Sequence, residues 1–158
     1  MALRNPHLDY AAELQRLRHT YATAPPQARL NTIVQRLRRP DAGAAQLVTA
    51  VSAVEGLARS LAVHAGAKTD TASRYAVYKK REAHSLIEEV LRLYRQPPPS
   101  AFFRQDTWPL FKSAVNFRNL IVHECTYLGQ DKYPSLLQAT DEVLTALVKL
   151  GRLRAGRT

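Results

Sequence analysis

At 158 residues the chain is one domain's worth, long enough to bury roughly two-thirds of its unfolded surface without a second core. Its 23 Lys and Arg, 17 of them arginine, face 13 Asp and Glu for a formal net charge of +10, which suits a polyanionic partner, because arginine is the planar, bidentate match for phosphate. The single cysteine, Cys125, excludes an internal disulfide framework, and charges every few residues over 1–21 exclude a signal peptide or transmembrane span; a soluble, cytoplasmic protein with no membrane partner is expected.

Prolines and glycines divide the chain into helical blocks, with no strand alternation of useful length between them. Asn5-Pro6 reads as an N-cap followed by proline at the first helical position, opening a helix with Leu8, Tyr10, Leu14, Leu17 and Tyr21 on its apolar face. Pro25-Pro26 interrupts it, and a second short helix carries Leu30, Ile33, Val34 and Leu37 before Pro40. These two make an N-terminal part, 1–40, ahead of a core bundle, 41–150. Gly43 gives way to a long apolar helix over 44–65, closed by Gly66. Thr69-Asp70-Thr71 offers caps for a single helix that runs through Tyr75, Tyr78, Leu86, Ile87, Val90, Leu91 and Tyr94 to Pro97-Pro98-Pro99. The proline-rich loop over 96–105 holds Phe102 and Phe103, which either tuck it onto the bundle or form a binding platform. Asp106 or Thr107 caps the next long helix, with Pro109 in its first turn and an end near Gly129; a last helix covers 134–150, followed by an Arg-rich tail, 151–158. The expected fold is all-α: one domain over 1–158, an up-and-down bundle of four to five main helices with short N-terminal helices.

At about 100° per residue, the helix after Pro109 gathers Leu110, Phe111, Ala114, Val115, Phe117, Ile121, Val122, Cys125 and Leu128 on one broad arc. Arg118 falls within that arc, whereas Lys112, Asn116, Asn119 and His123 form a polar stripe on the opposite side. A guanidinium among apolar neighbours needs a partner, because it does not lose its charge and its desolvation is costly. The long helix over 44–65 supplies one: Glu55 sits inside an arc of Leu47, Val48, Val51, Val54, Ala58, Leu61 and Ala62. A Glu55–Arg118 pair follows, either a purely structural ion pair or part of a cleft, and Arg59, one turn on, joins it or reaches solvent. His123 either complements the helix end or transfers protons beside Arg118 and Asn119. The remaining histidines, His7, His19, His64 and His84, have no partner at ligand spacing, so neither a metal nor another cofactor is expected. Cys125 reads as core packing.

Arg118-Asn119-Leu120-Ile121-Val122-His123, in the penultimate long helix of an all-helical basic chain, resembles the signature of the HEPN (higher eukaryote and prokaryote nucleotide-binding) superfamily: arginine, a polar residue, three or more residues, then histidine. Glu55 is similar to an acidic residue seen on an earlier helix of such proteins. The resemblance implies a homodimeric bundle with a shared cleft, and metal-independent ribonuclease activity in toxin, abortive-infection or RNA-processing systems. A subset paired with nucleotidyltransferase antitoxins carries tyrosine two residues after the histidine. Here that position is Cys125, and the tyrosine is Tyr127.

The expected chemistry is RNA cleavage by transesterification from the ribose 2′-hydroxyl, with His123 as general base or acid, Arg118 as the clamp on the charged phosphate and Asn119 orienting either group. Glu55, Arg59 and Tyr127 are supporting residues, and Lys112 and Asn116 either contact flanking RNA phosphates or belong to a solvated face. RNA, a second copy that supplies its own His123, and an antitoxin or other protein are the expected partners. The alternative is a non-catalytic module that binds RNA or a nucleotide, or a helical adaptor in which the charge pair only fixes packing.

Overall fold

The computed structural model describes residues 8–23, 25, 27, 28, 30, 31, 42–66 and 70–154. It is an all-α bundle. In chain order its helices are α1 (Tyr10–Thr23), α2 (Ala42–His64), α3 (Thr71–Tyr78), α4 (Ala83–Leu93), α5 (Pro99–Phe102), α6 (Thr107–Glu124) and α7 (Tyr133–Leu150). Four of these, α2, α4, α6 and α7, make the core: α2 packs on α7, α4 and α6, and α6 packs on α7. The first helix lies on α6 and α3 lies on α2. Among the described residues no helix is long and apolar enough to cross a membrane.

The core helices follow from their apolar spacing. Leu47, Val51, Val54, Ala58 and Leu61 of α2 recur at three or four residues and are buried, as are Leu86, Ile87, Val90 and Leu91 of α4. Phe111 and Phe117 of α6 are fully buried, and Tyr10 of α1 meets Phe117 edge-on with ring centroids 6.1 Å apart. Gly43 lets the start of α2 approach α7, since a Cβ there would overlap the buried Tyr133 ring. Past the end of α2, Gly66 takes the left-handed conformation that closes a helix, at φ +59.

Several expectations need correction. The first helix starts at Tyr10, where the Asp9 carboxylate accepts from the Ala12 amide at 3.1 Å. Asn5-Pro6 lies outside the described residues, as do the side chain of Tyr21 and Ile33, Val34 and Leu37 of the second short helix. Gln27, Ala28, Leu30 and Asn31 of that helix are helical. In the next block, the single helix expected through Tyr75 to Tyr94 is two, α3 and α4, broken over 79–82 with neither proline nor glycine. Tertiary contacts stabilise the break. The buried Tyr78 donates its hydroxyl to Glu89 at 3.0 Å, while Arg59 of α2 donates to the carbonyls of Tyr78 at 3.2 Å and Arg81 at 3.3 Å, which an uninterrupted helix would have paired internally.

The proline-rich loop tucks onto the bundle through Phe103, which is buried and stacks on Trp108 at 5.9 Å with Phe102 edge-on to it at 5.0 Å. It contains the one-turn helix α5. Asp106 occupies the N-cap of α6 without a side-chain cap bond, and the Thr107 hydroxyl donates instead to Glu142 of α7. The far end of α6 is reached at Glu124, five residues before Gly129, with Cys125 in the left-handed conformation at φ 50. Leaving the helix there buries Thr126, Leu128 and Lys132, whose ammonium lies 3.5 Å from Glu13 of α1.

Candidate functional site

Packing of α2 against α6 brings together the two charges that lie inside apolar faces. Arg118 Nη1 lies 3.3 Å from Glu55 Oε2 and 3.5 Å from the Ser52 hydroxyl, one turn earlier on α2. The side chains are 13% and 21% exposed, so the pair sits at the wall of the bundle and is only partly desolvated. Arg118 Nε donates to Asn119 Oδ1 at 2.9 Å, which leaves the Asn119 amide NH2 as a donor group. Arg118 Nη2 makes no hydrogen bond to the described residues.

Arg59 completes the cluster, with its guanidinium 3.5 Å from the other Glu55 oxygen. One carboxylate therefore lies between two guanidiniums, and the three groups together carry a formal charge of +1.

His123 is one turn beyond Asn119 in the last turn of α6 and is exposed. The helical rise puts the two residues about 6 Å apart along the axis. Asn116 and Asn119 are half-buried and Lys112 is exposed, with its ammonium 5.9 Å from the centre of the Trp108 ring. The polar stripe is thus a real face of α6, although Val122, expected in the apolar arc, is 55% exposed, no described residue burying it. Cys125 is half-buried at the C-cap instead of in the helical arc, and Tyr127 is half-buried in the loop that follows. Arg118, Asn119, Glu55 and Arg59 share one connected set of contacts. Among the described residues the His123 side chain makes no hydrogen bond or ion pair with that set; it lies further towards the end of α6, and Asn116 and Lys112 lie towards its start. Ser52 was missed by the sequence reading, although its spacing of three from Glu55 places it on the same face of α2.

Among the described residues, no three His, Cys, Asp or Glu side chains are gathered closely enough to hold a metal ion. A groove of about 650 Å3 lies between the α5–α6 segment and α7, lined in part by Phe102, Phe103, Glu142 and Lys149, and shares no residue with the motif. Its Glu142 accepts from Arg104 at 2.7 Å and from Thr107. Burial pushes the Glu142 carboxyl up, but the Thr107 and Arg104 hydrogen bonds together hold it below the usual carboxylate value of 4.5. A depressed folded-state value means that Glu142 contributes stability above pH 4.5, and that this contribution is lost as pH falls through the folded value. Glu13 and Glu89 are shifted the same way, so a comparison with Glu142→Gln isolates this residue. In melting curves between pH 7 and 3 the wild type should lose more stability than Glu142→Gln, the difference being about 1 kcal/mol or less because Arg104 is exposed. Parallel losses in the two proteins would show that Glu142 is not the titrating contact.

No family model, curated protein or solved structure matches the chain.

Proposed function

We propose that the protein is a metal-independent endoribonuclease that acts in the cytoplasm, cutting RNA by attack of a ribose 2′-hydroxyl on the adjacent phosphorus. One observation carries the reading: two guanidiniums share the single Glu55 carboxylate, and one of them, Arg118, is on the helix whose last turn holds the exposed imidazole of His123. Transesterification needs a group that moves a proton and donors that stabilise charge on the phosphate oxygens. His123 supplies the first. Arg118 Nη2 and the Asn119 amide supply the second, held in place by Glu55, Ser52 and each other. Two oxygens exchange protons in the reaction, one entering and one leaving, so a homodimer that pairs two copies of His123 provides both acid and base. The HEPN-like spacing of Arg118, Asn119 and His123 supports the same reading, including a role as a toxin or defence component with its own antitoxin.

Arg118 already faces a carboxylate, which favours a second reading: a non-catalytic RNA- or nucleotide-binding module, in which the pair only shapes the surface. The discriminating experiment incubates the purified protein with total RNA in EDTA and identifies the fragment ends. Fragments with 2′,3′-cyclic phosphate and 5′-hydroxyl ends are expected, because an internal hydroxyl nucleophile leaves those groups. Intact RNA across varied substrates would favour the binding module.

A further inference from the structure

Tyr75 is 52% exposed and Val77 60% on α3, an eight-residue helix whose buried side chain is Tyr78. The helix α3 rests on α2 through Tyr78 and through Arg74, which donates to the Ala62 carbonyl at 2.6 Å, and Tyr75 is left on the outer side. One turn further, Lys79, Lys80 and Arg81 follow in succession. Lys79 and Lys80 are exposed, and neither forms an ion pair among the described residues. Among nearby carboxylates, Glu55 faces Arg59 and Arg118 and Glu89 faces Arg92 at 2.5 Å, whereas the exposed Glu82 lies 3.5 Å from His84, an ion pair only when that imidazole is protonated.

An exposed ring one turn from two unpaired ammonium groups matches the chemistry of a single nucleic-acid strand, whose bases offer stacking faces and whose phosphates offer charge. A duplex hides those faces. The surface is also tied to the motif, because Arg59 donates to the carbonyls of Tyr78 and Arg81 and contacts the carboxylate that faces Arg118. We propose that Tyr75, Lys79 and Lys80 form a docking surface for single-stranded RNA, with Tyr75 stacking on a base and the two lysines holding flanking phosphates. The identity of the strand as RNA rests on the ribonuclease reading; the surface itself rests on these side chains.

The test measures fluorescence anisotropy of a labelled single-stranded oligouridine RNA against the full chain in EDTA, with His123→Ala present throughout so that the probe stays whole. Tyr75→Ala should weaken binding about tenfold, while Tyr75→Phe, which keeps the ring, should stay within about twofold. Replacing Lys79 and Lys80 together with alanine should lower the slope of log affinity against log salt by about 1.4, the value for two phosphates on a single strand. Binding of a blunt RNA duplex should not respond to Tyr75→Ala. All three positions are exposed, and unchanged melting curves will confirm that the substituted proteins are folded. The proposal is overturned if the probe does not bind, if Tyr75→Ala binds like its parent, if Tyr75→Phe is as weak as Tyr75→Ala, or if the salt slope is unmoved. Cleavage of RNA by the wild type alongside Tyr75-independent binding would remove the docking surface and leave the ribonuclease. Tyr75-dependent binding by a chain that cuts nothing would remove the ribonuclease and leave the surface.

Discussion

Replacing His123 with alanine is expected to abolish RNA cleavage while leaving the bundle folded. A positioned proton-transfer group contributes about 10²–10⁴-fold to rate, so the loss should reach at least that range, and further if both acid and base in a dimer are His123. The fold should tolerate the change because the side chain is exposed at the end of α6. The imidazole stabilises the helix terminus by only about 0.3–1 kcal/mol, and only when protonated. Arg118→Ala should behave differently: on the proposed reading it removes a donor to the phosphate in the ground state as well as in the transition state, so RNA affinity and cleavage should fall together. The assay compares initial rates on one RNA in EDTA, with binding and melting curves for each protein. Equal cleavage by wild type and His123→Ala would point to a contaminating nuclease and withdraw His123 from the chemistry.

The second large effect concerns Glu55. Truncation to alanine leaves Arg118 and Arg59, at 13% and 20% side-chain exposure, facing each other without the carboxylate between them. Breaking a buried pair costs about 3–5 kcal/mol and a surface pair about 1 kcal/mol or less; this partly buried pair, with two cations left behind, should cost about 2–3 kcal/mol. Glu55→Gln keeps an oxygen for the hydrogen bond but loses the charge, and should cost about half as much. Urea denaturation of the three proteins measures both values. A loss under about 0.5 kcal/mol for Glu55→Ala would mean that the carboxylate is effectively solvated and does not hold Arg118.

The Glu55–Arg118 contact was legible because each charge interrupts an apolar helical face, and two such helices in one small core have few other ways to satisfy them. The same periodicity explains the agreement over α2 and α4, whose expected apolar residues lie in or against the core. It was a poorer guide to α3. Tyr75 and Tyr78 are both aromatic at helical spacing, yet one is exposed and the other buried, because a short helix resting on a single neighbour has only a narrow covered side. Val122 illustrates the same limit: a wheel ranks positions by direction, and burial requires a neighbouring element in that direction.

The sequence by itself determined the all-α class, the long apolar helices, the placing of Glu55 and of Arg118 each inside an apolar helical face, and the placing of Asn119 and His123 on one polar face of α6. Each of these depends on spacing within a helix, which backbone geometry sets locally. Only the tertiary structure decided where α3 gives way to α4, where α6 stops, and that Arg59 joins Glu55 to the Tyr78 and Arg81 carbonyls. Neither the α3–α4 break nor the end of α6 at Cys125 carries a glycine or proline signal, and at the break the group that satisfies the freed carbonyls, Arg59, comes from another helix. Arg59 lies 19 residues from Tyr78 in the chain, and Lys132 reaches Glu13 across the bundle. A helix end supported by a distant side chain is stable only after the helices have packed, so no local pattern records it.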